Sequence, residues 1–146
     1  MGVEIKNKKA IFLYHLLDEF TAGIMLKGTE IKSIRKGKAS IVEAYCKFEG
    51  NDLFVYNMNI AEYENAGWTQ HNPKRPRKLL LNQTELNKLK KKLKDVGLTI
   101  IPTLLYINDK GLAKLDIAVA KGKKLYDKRE DLKQKSQKRD IDRAMK

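Results

Sequence analysis

Short apolar runs interrupted by turn-forming residues dominate residues 1–121 of the chain. Residues 10–14 are apolar and β-prone, and residues 23–26 resume the same pattern after a more polar stretch. Apolar, β-prone runs of this length are typical of half-buried strands. The pattern therefore predicts two neighbouring strands near the start of the chain.

Two further pairs of apolar runs have turn residues between them. They are residues 41–48 and 53–58 around Gly50-Asn51-Asp52, and residues 98–107 and 112–120 around Asn108-Asp109-Lys110-Gly111. Glycine, asparagine and aspartate adopt the backbone conformations that tight turns require. Each pair is therefore predicted to form an antiparallel β-hairpin.

A short helix is predicted between Gly28 and Gly37. Gly28-Thr29 offers a chain break and an N-cap, and Ile31 with Ile34 provides apolar contacts one helical turn apart. Glycine then ends the helix. The remaining helix positions are expected to face solvent: Glu30, Lys32, Ser33 and Arg35.

A longer amphipathic helix should begin after Asn82, which can cap it together with Glu85. Its apolar stripe is predicted to comprise Leu86, Leu89, Leu93 and Val96 and to stop at Gly97. The opposite face carries Lys88, Lys90, Lys91, Lys92 and Lys94. Such a lysine run forms either a solvated helix face or an RNA contact, and the sequence leaves both interpretations open.

Residues 59–78 show little periodicity and contain Trp68, His71 and several basic residues. We expect an exposed loop there. Long loops in compact domains are often functional. For Trp68 the sequence does not distinguish packing in the core from stacking on a nucleic-acid base.

These elements together predict a mainly β fold with short helices. About six short strands favour a small closed or nearly closed β-barrel, since closure removes exposed strand edges. We expect the oligonucleotide-binding type of barrel, formed by residues 1–121.

Composition and charge add a basic C-terminal tail at residues 122–146. The chain has 146 residues, a net charge of +13 and a pI near 9.7, which favour a polyanionic partner such as nucleic acid. Few large apolar side chains lie in the tail, so we expect it to be disordered when free and to be ordered by a partner. No apolar run is long enough to span a bilayer, so we expect a cytoplasmic protein without a membrane partner.

The residues that enzymes use for chemistry are sparse. The two histidines, His15 and His71, do not have the spacing of a metal pair, and Cys46 is the only cysteine, which we interpret as a buried strand residue. Residues 23–28 have the glycine spacing of a phosphate loop, but Thr29-Glu30 follows where that loop needs Lys and then Ser or Thr. We therefore expect no enzymatic activity, catalytic residue, metal or cofactor.

Four motifs in chain order resemble the SmpB family of SsrA-binding proteins. They are Asn7-Lys8-Lys9-Ala10, the block at residues 22–37, the basic segment at residues 71–81, and Gly122-Lys123-Lys124-Leu125-Tyr126-Asp127-Lys128-Arg129. The resemblance covers most of the chain. Thr21 stands where the family commonly has glutamate, Tyr126 where it often has histidine, and Ala144-Met145-Lys146 resembles its usual ending.

This resemblance implies an oligonucleotide-binding barrel that grips the tRNA-like part of transfer-messenger RNA, also called SsrA. It also implies delivery of that RNA, with elongation factor Tu, to ribosomes stalled on messages that lack a stop codon. The tail would become helical in the empty mRNA channel of the small subunit, beyond the decoding centre.

The candidate site residues fall into two groups. The RNA-binding group comprises Asn7, Lys8, Lys9, Glu30, Lys32, Arg35, His71, Arg75, Arg77 and Lys78. The ribosome-binding group comprises Gly122, Lys123, Lys124, Tyr126, Asp127, Lys128 and Arg129. The cations can neutralise phosphates, Tyr63 or Trp68 can stack on bases, and Tyr126 is expected to act at the decoding centre.

Three alternatives remain open from the sequence. Glu30 can contact RNA or pair with Arg35 or Lys27. The tail can probe the ribosome or supply only general RNA affinity. The whole protein can be a structural ribosomal protein or a general RNA-binding module of the oligonucleotide-binding fold.

Overall fold

The computed structural model describes residues 3–64 and 67–123. The strands are β1 (Glu4–Lys6), β2 (Tyr14–Ile24), β3 (Ala39–Ser40), β4 (Tyr45–Glu49), β5 (Asp52–Tyr56), β6 (Asn59–Ile60), β7 (Arg77–Leu80), β8 (Leu98–Ile107) and β9 (Ala113–Gly122). The helices are α1 (Ala10–Leu13), α2 (Gly28–Arg35) and α3 (Gln83–Lys92), with a 3₁₀ turn at Gly67–Thr69. The predicted mainly β fold with short helices is confirmed.

Six strands form a ring of antiparallel pairs in the order β8, β4, β5, β7, β2 and β9. The ring closes because β9 pairs with both β2 and β8. Strand β1 adds to β8, while β3 and β6 form a separate two-stranded sheet. Closure reduces the length of unpaired strand edge that could promote aggregation, although β4 and β8 share only the pair Cys46 and Ile100.

Both predicted hairpins are present. In the first, Glu49 pairs with Asp52, so Gly50 and Asn51 make the turn, and Gly50 has a φ of +64°. In the second, the side-chain oxygen of Asn108 accepts hydrogen bonds from two turn amides, and Gly111 has a φ of +80°. A positive φ of this size is readily adopted only by glycine, which explains why turn residues located these hairpins correctly.

The predicted strand at residues 10–14 is wrong except at Tyr14, and of the strand predicted at residues 23–26 only residues 23 and 24 lie in a strand, β2. The first run forms α1, in which the amide of Leu13 donates to the carbonyl of Lys9. This turn carries the chain from β1, which pairs with β8, to β2, which pairs with β9. Strand β2 then continues for 11 residues, with an irregularity between Leu16 and Asp18 that resets its register on β9.

The expected loop at residues 59–78 also contains regular structure. It includes β6, the 3₁₀ turn and the first two residues of β7. Strand β7 is short and pairs with β5 and β2. Two prolines and four basic residues between positions 73 and 78 concealed this strand, because proline and lysine are uncommon in sheets.

Helix α3 begins as predicted, with the Asn82 side chain accepting from the Glu85 amide at 2.8 Å and the Glu85 carboxylate accepting from the Asn82 amide at 3.3 Å. Leu89 is fully buried in the core. Val96 is 95% exposed, so its place in the predicted stripe is wrong, because the helix has already ended at Lys92.

The core fills the ring with apolar side chains from most strands. Its fully buried members include Leu53, Ile100, Leu115 and Ile117, and α2 contributes Ile34. Cys46 is buried in β4, which confirms its predicted place, and burial raises the pKa of its thiol. The thiol therefore packs as a small apolar group.

Candidate nucleic-acid interface

Helix α2 begins with Glu30 turned inward rather than outward. Its carboxylate accepts a hydrogen bond from the backbone amide of Lys27 at 2.8 Å, so Lys27, not Thr29, precedes the first turn. Glu30 and Ser33 are both buried. The expectation that α2 exposes these two residues is therefore wrong.

Two arginines from the basic segment hold the buried carboxylate. Arg75 donates from Nη2 to Oε1 of Glu30 at 2.6 Å and from Nε to Oε2 at 3.1 Å. Arg77 donates from Nε to Oε2 at 2.5 Å. We call these three residues the Glu30 cluster, in which charge-assisted hydrogen bonds satisfy both carboxylate oxygens.

Arg77 has no exposed surface and its other donors are also occupied. Its Nη1 donates to the carbonyl of Met58 at 2.7 Å, and its Nη2 donates to that of Pro73 at 3.0 Å. A guanidinium with these partners is fully committed to the protein. The Arg77 side chain therefore has no accessible surface with which to bind phosphate, contrary to the sequence-based assignment.

The Glu30 cluster keeps its charges despite burial. Desolvation alone raises the pKa of Glu30, but hydrogen bonds from Arg75, the Lys27 amide and Arg77 outweigh it, so the pKa lies below its ordinary value. Desolvation lowers the pKa of Arg77, and the Glu30 carboxylate opposes that change. The cluster thus holds one negative and two positive charges, with Arg75 partly exposed to solvent.

His71 is buried beside the cluster and joins the basic segment to α2. Its Nε2 donates to the carbonyl of Ile60 at 2.9 Å, which leaves Nδ1 to accept from the Thr29 hydroxyl at 2.8 Å. Asn7 is also buried, and its amide donates to the carbonyl of Pro102 at 2.9 Å. Four predicted RNA-binding residues are therefore internal: Asn7, Glu30, His71 and Arg77.

The other predicted cations are accessible or half-buried and come from several elements. Lys8 and Lys9 precede α1, and Lys9 lies 3.5 Å from the Glu43 carboxylate. Lys32 and Arg35 are exposed on α2, while Lys78 is half-buried on β7 and lies 3.5 Å from Asp52. Lysine residues of α3 are partly engaged too, since Lys90 donates to Asn51 and Lys92 pairs with Asp18.

A row of residues across three strands forms an apolar groove that sequence reasoning missed. Leu80 of β7 pairs with Gly23 of β2, and Gly23 pairs with Lys114 of β9. Leu80 is 49% exposed and lies over Gly23, where an added Cβ would sit 3.3 Å from the Leu80 Cβ. A side chain at residue 23 would therefore press on Leu80, which would have to shift by a few tenths of an ångström.

The Leu80 groove has a volume of about 190 Å³ and is lined mainly by Leu26, Ile31, Leu80 and Leu112, with Lys114 at its edge. Arg35 approaches the same end, with Nη2 3.7 Å from the position a Gly111 Cβ would take. A second groove of about 300 Å³ adjoins it at Leu26 and is lined by Met25, Lys27, Phe54, Arg75, Pro76 and Lys78.

These two grooves and the cations around them constitute what we call the groove face. Apolar floors bordered by guanidinium and ammonium groups suit bases, riboses and phosphates together. In β7, Arg77 and Leu79 point inward while Lys78 and Leu80 are exposed or half-buried. This alternation indicates that Leu80 faces outward, but it can be read from the sequence only once residues 77–80 are recognised as a strand.

At residue 21, where the chain departs from the family pattern, the structure places Thr21 on the outside of β2. Its hydroxyl donates to Oδ1 of Asp116 at 2.8 Å across the β2–β9 pair. Asp116 therefore supplies a carboxylate in the row next to Leu80, Gly23 and Lys114.

Only the start of the predicted tail falls within the described residues. Gly122 ends β9 and pairs with Tyr14, and the amide of Lys123 donates to the carbonyl of Leu13 at 2.9 Å. The other predicted ribosome-binding residues lie outside the described residues: Lys124, Tyr126, Asp127, Lys128 and Arg129. The division into residues 1–121 and 122–146 stays a prediction.

Residues 3–64 and 67–123 lack two further kinds of site. No helix of this part of the chain is both long and apolar enough to cross a membrane. Nor do these residues bring together three or more His, Cys, Asp or Glu side chains that could hold a metal ion.

Comparison with known proteins identifies close relatives. The model of the SmpB protein family matches residues 4–146. A protein named SsrA-binding protein from Christiangramia forsetii is 57% identical over 145 residues, which cover 99% of this chain and 92% of that protein. The SsrA-binding protein of Bacteroides thetaiotaomicron is 56% identical over 145 residues, which cover 99% and 97%.

The fold is also similar to a chain of known structure, described as "tmRNA-SmpB: a journey to the center of the bacterial ribosome". The two superpose with a TM-score of 0.72 and 40% sequence identity. The match covers 84% of this chain and 86% of that chain. The resemblance thus extends from the sequence motifs to the arrangement of the strands.

Replacing Glu30 by glutamine should lower the free energy of unfolding by about 3 kcal/mol, because Arg75 and Arg77 lose a buried counter-charge. Urea unfolding followed by circular dichroism measures this change. Glu64→Gln is the matched control, since Glu64 pairs with Lys38 on the exposed surface. Equal, small effects of both substitutions would contradict the structural role of the Glu30 cluster.

Acid should weaken the wild-type protein more steeply than Glu30→Gln. The folded-state pKa of Glu30 is lowered, so its contribution is fully present above the pKa of the unfolded chain and is lost as the pH falls through the folded value. Unfolding curves recorded between about pH 6 and pH 3 test this expectation. Parallel stability profiles for the two proteins would show that Glu30 is not linked to folding.

Proposed function

The chain belongs to the SmpB family, and from this membership we propose that it is an SsrA-binding protein of trans-translation. It binds the tRNA-like part of transfer-messenger RNA and brings that RNA to ribosomes stalled without a stop codon. The observation that carries this proposal is the 57% identity over 99% of the chain to a protein named SsrA-binding protein. The function is binding rather than catalysis.

The partners follow from the same proposal. The chain acts with transfer-messenger RNA, with the decoding centre and mRNA channel of the small ribosomal subunit, and with elongation factor Tu through the RNA complex. It works in the cytoplasm, where translating ribosomes are its target. The similar structure described as tmRNA-SmpB at the bacterial ribosome supports the first two partners.

The groove face is the surface that we assign to transfer-messenger RNA. Its apolar floor, which includes Leu80, can contact ribose and base edges, while Lys114 and Arg35 are placed to neutralise phosphates. Folded RNA loops are recognised largely through shape, splayed bases and 2′-hydroxyl groups. A floor flanked by cations provides both kinds of contact in one place.

The Glu30 cluster acts behind this face as a positioning device. Arg75 binds Glu30 and also lines the groove that contains Lys78. The buried carboxylate therefore fixes the basic segment at residues 71–78 against α2. The RNA then meets cations that are already oriented, which reduces the entropy lost on binding.

The tail carries the second half of the proposed function. Residues 122–146 contain ten Lys or Arg and five Asp or Glu, a charge balance suited to the RNA-lined mRNA channel. Tyr126 stacks at the decoding centre, Asp127 caps the helix formed there, and the neighbouring basic residues bind ribosomal phosphates. Lys123 fixes the point at which this segment leaves the body, beside α1.

Lys114→Ala should weaken binding to transfer-messenger RNA and reduce the slope of log affinity against log salt by about 0.7 to 0.9, the value of one phosphate contact. Filter binding at several salt concentrations measures both quantities. Lys91→Ala is the control, because Lys91 is exposed on α3 away from both grooves. An unchanged slope for Lys114→Ala would remove this residue from the interface.

Deleting residues 127–146 should leave binding to free transfer-messenger RNA close to that of the full chain while abolishing tagging on stalled ribosomes. Tyr126→Ala should have the same pattern, since it removes a stacking contact of about 1 to 3 kcal/mol. Tyr126→Phe keeps the ring and should retain tagging. If the deletion abolishes binding to the free RNA as well, the division of labour between body and tail is wrong.

A further inference from the structure

The side chain of Gln70 forms two hydrogen bonds with the backbone of Tyr63, as a neighbouring strand would. The side-chain oxygen of Gln70 accepts from the backbone amide of Tyr63 at 2.9 Å, and its Nε2 donates to the carbonyl of Tyr63 at 2.6 Å. This bidentate pair holds together the two ends of the segment from Tyr63 to Gln70. Tyr63 therefore has a fixed backbone position although it lies outside any strand.

The ring of Tyr63 carries two ammonium groups from α2. Lys32 Nζ lies 5.3 Å and Lys36 Nζ 5.1 Å from the ring centroid. Both distances lie within the range of a cation–π contact. Because the two lysines are four residues apart, they project from the same face of the helix and concentrate positive charge around one half-buried aromatic ring.

Trp68, in the same segment, is 96% exposed. A tryptophan ring can bury 150 to 250 Å², so an almost fully exposed ring forgoes a large apolar contribution to folding. Of the two alternatives left open by the sequence for Trp68, packing in the core is excluded by this exposure. By contrast, the exposed Tyr45 ring stacks on Tyr56, with centroids 5.6 Å apart.

Acidic groups near this site leave it with a net positive charge. Glu64 is engaged by Lys38 at 2.7 Å, and the hydrogen bond and charge of Lys38, together with the charge of Lys36, lower the pKa of Glu64. Glu62 is the other carboxylate in this stretch of sequence, so two carboxylates face three ammonium groups in the charge balance, those of Lys32, Lys36 and Lys38. An exposed tryptophan ring, in the same short segment as a tyrosine ring that carries two cations, fits a base with its phosphate better than it fits an apolar peptide.

We propose that Trp68 and the Tyr63–Lys32–Lys36 group form a second RNA contact, separate from the groove face, which takes one unpaired base of a structured RNA. The base stacks on the Trp68 ring, and Lys32 and Lys36 bind the adjoining phosphates. This inference rests on the proposed RNA-binding function. It assigns Lys32, a predicted RNA-binding residue, to this second contact rather than to the groove face. Tyr63, Lys36 and Trp68 are the other residues of the contact.

The chain provides its own reporter for this contact, because Trp68 is its only tryptophan. Titrating the full-length protein with transfer-messenger RNA should quench its tryptophan fluorescence if a base stacks on the ring, while anisotropy of end-labelled RNA measures overall binding. Quenching that tracks binding supports the proposal with this RNA as the source of the base. Absence of anisotropy change would instead contradict the proposed function itself.

A second arm tests ribosomal RNA as the source of the base. If transfer-messenger RNA binds without quenching, Trp68→Ser should still reduce the affinity of the protein–RNA complex for stalled ribosomes, measured by sedimentation. Loss of one stacked base predicts a reduction between about 5-fold and about 100-fold. Binding without quenching in the first arm, together with unchanged ribosome affinity in the second, overturns the proposal.

Matched variants separate stacking from folding. Trp68→Phe should keep most of the affinity because it keeps an aromatic face, whereas Trp68→Ser should lose it. Both should melt at the wild-type temperature, since the ring is exposed. Val96→Ser, at a valine that is 95% exposed elsewhere on the surface, should change neither affinity nor stability; equal losses of affinity for this control and Trp68→Ser would also overturn the proposal.

Discussion

A carboxylate buried between two guanidinium groups is the constraint on which the candidate interface depends. Glu30 receives hydrogen bonds from the Lys27 amide just before α2, from Arg75 and from Arg77, and Arg77 in turn donates to the backbone at Met58 and Pro73. Such a group costs much desolvation energy, and its partners become uncompensated charges if it is removed. The geometry of α2 and the basic segment is therefore coupled at a single point.

Closure of the strand ring determines where the exposed side chains of this interface meet. Strand β2 lies between β7 and β9, so Gly23 separates Leu80 from Lys114 in one registered row. The missing side chain at Gly23 leaves room for Leu80 to cover the strand. The proposed RNA surface therefore combines a glycine with two residues that come from strands far apart in the sequence.

The sequence predicted the parts of the fold that are set locally. Turn residues located both hairpins, and Asn82 with Glu85 located the start of α3, because each signal acts within a few residues. It failed where the decision was made at long range: α1 replaces a predicted strand, β7 lies inside an expected loop, and Val96 lies beyond the end of α3. In those places the local preference of the residues for helix, strand or loop was outweighed by whether a distant strand was there to pair with them.

The sequence by itself determined the family, the mainly β fold and the basic character of the surface, because motifs, periodicity and charge can be read without coordinates. Only the tertiary structure decided which charged residues face the solvent. Glu30 and Arg77 lie in motifs that resemble a binding surface, yet they are buried and bind each other. The polar side chain of His71, in the same basic segment as Arg77, is buried as well. The reason is that a charge can be internal only when its counter-charge arrives from elsewhere in the chain, and here Arg75 and Arg77 arrive from more than forty residues away.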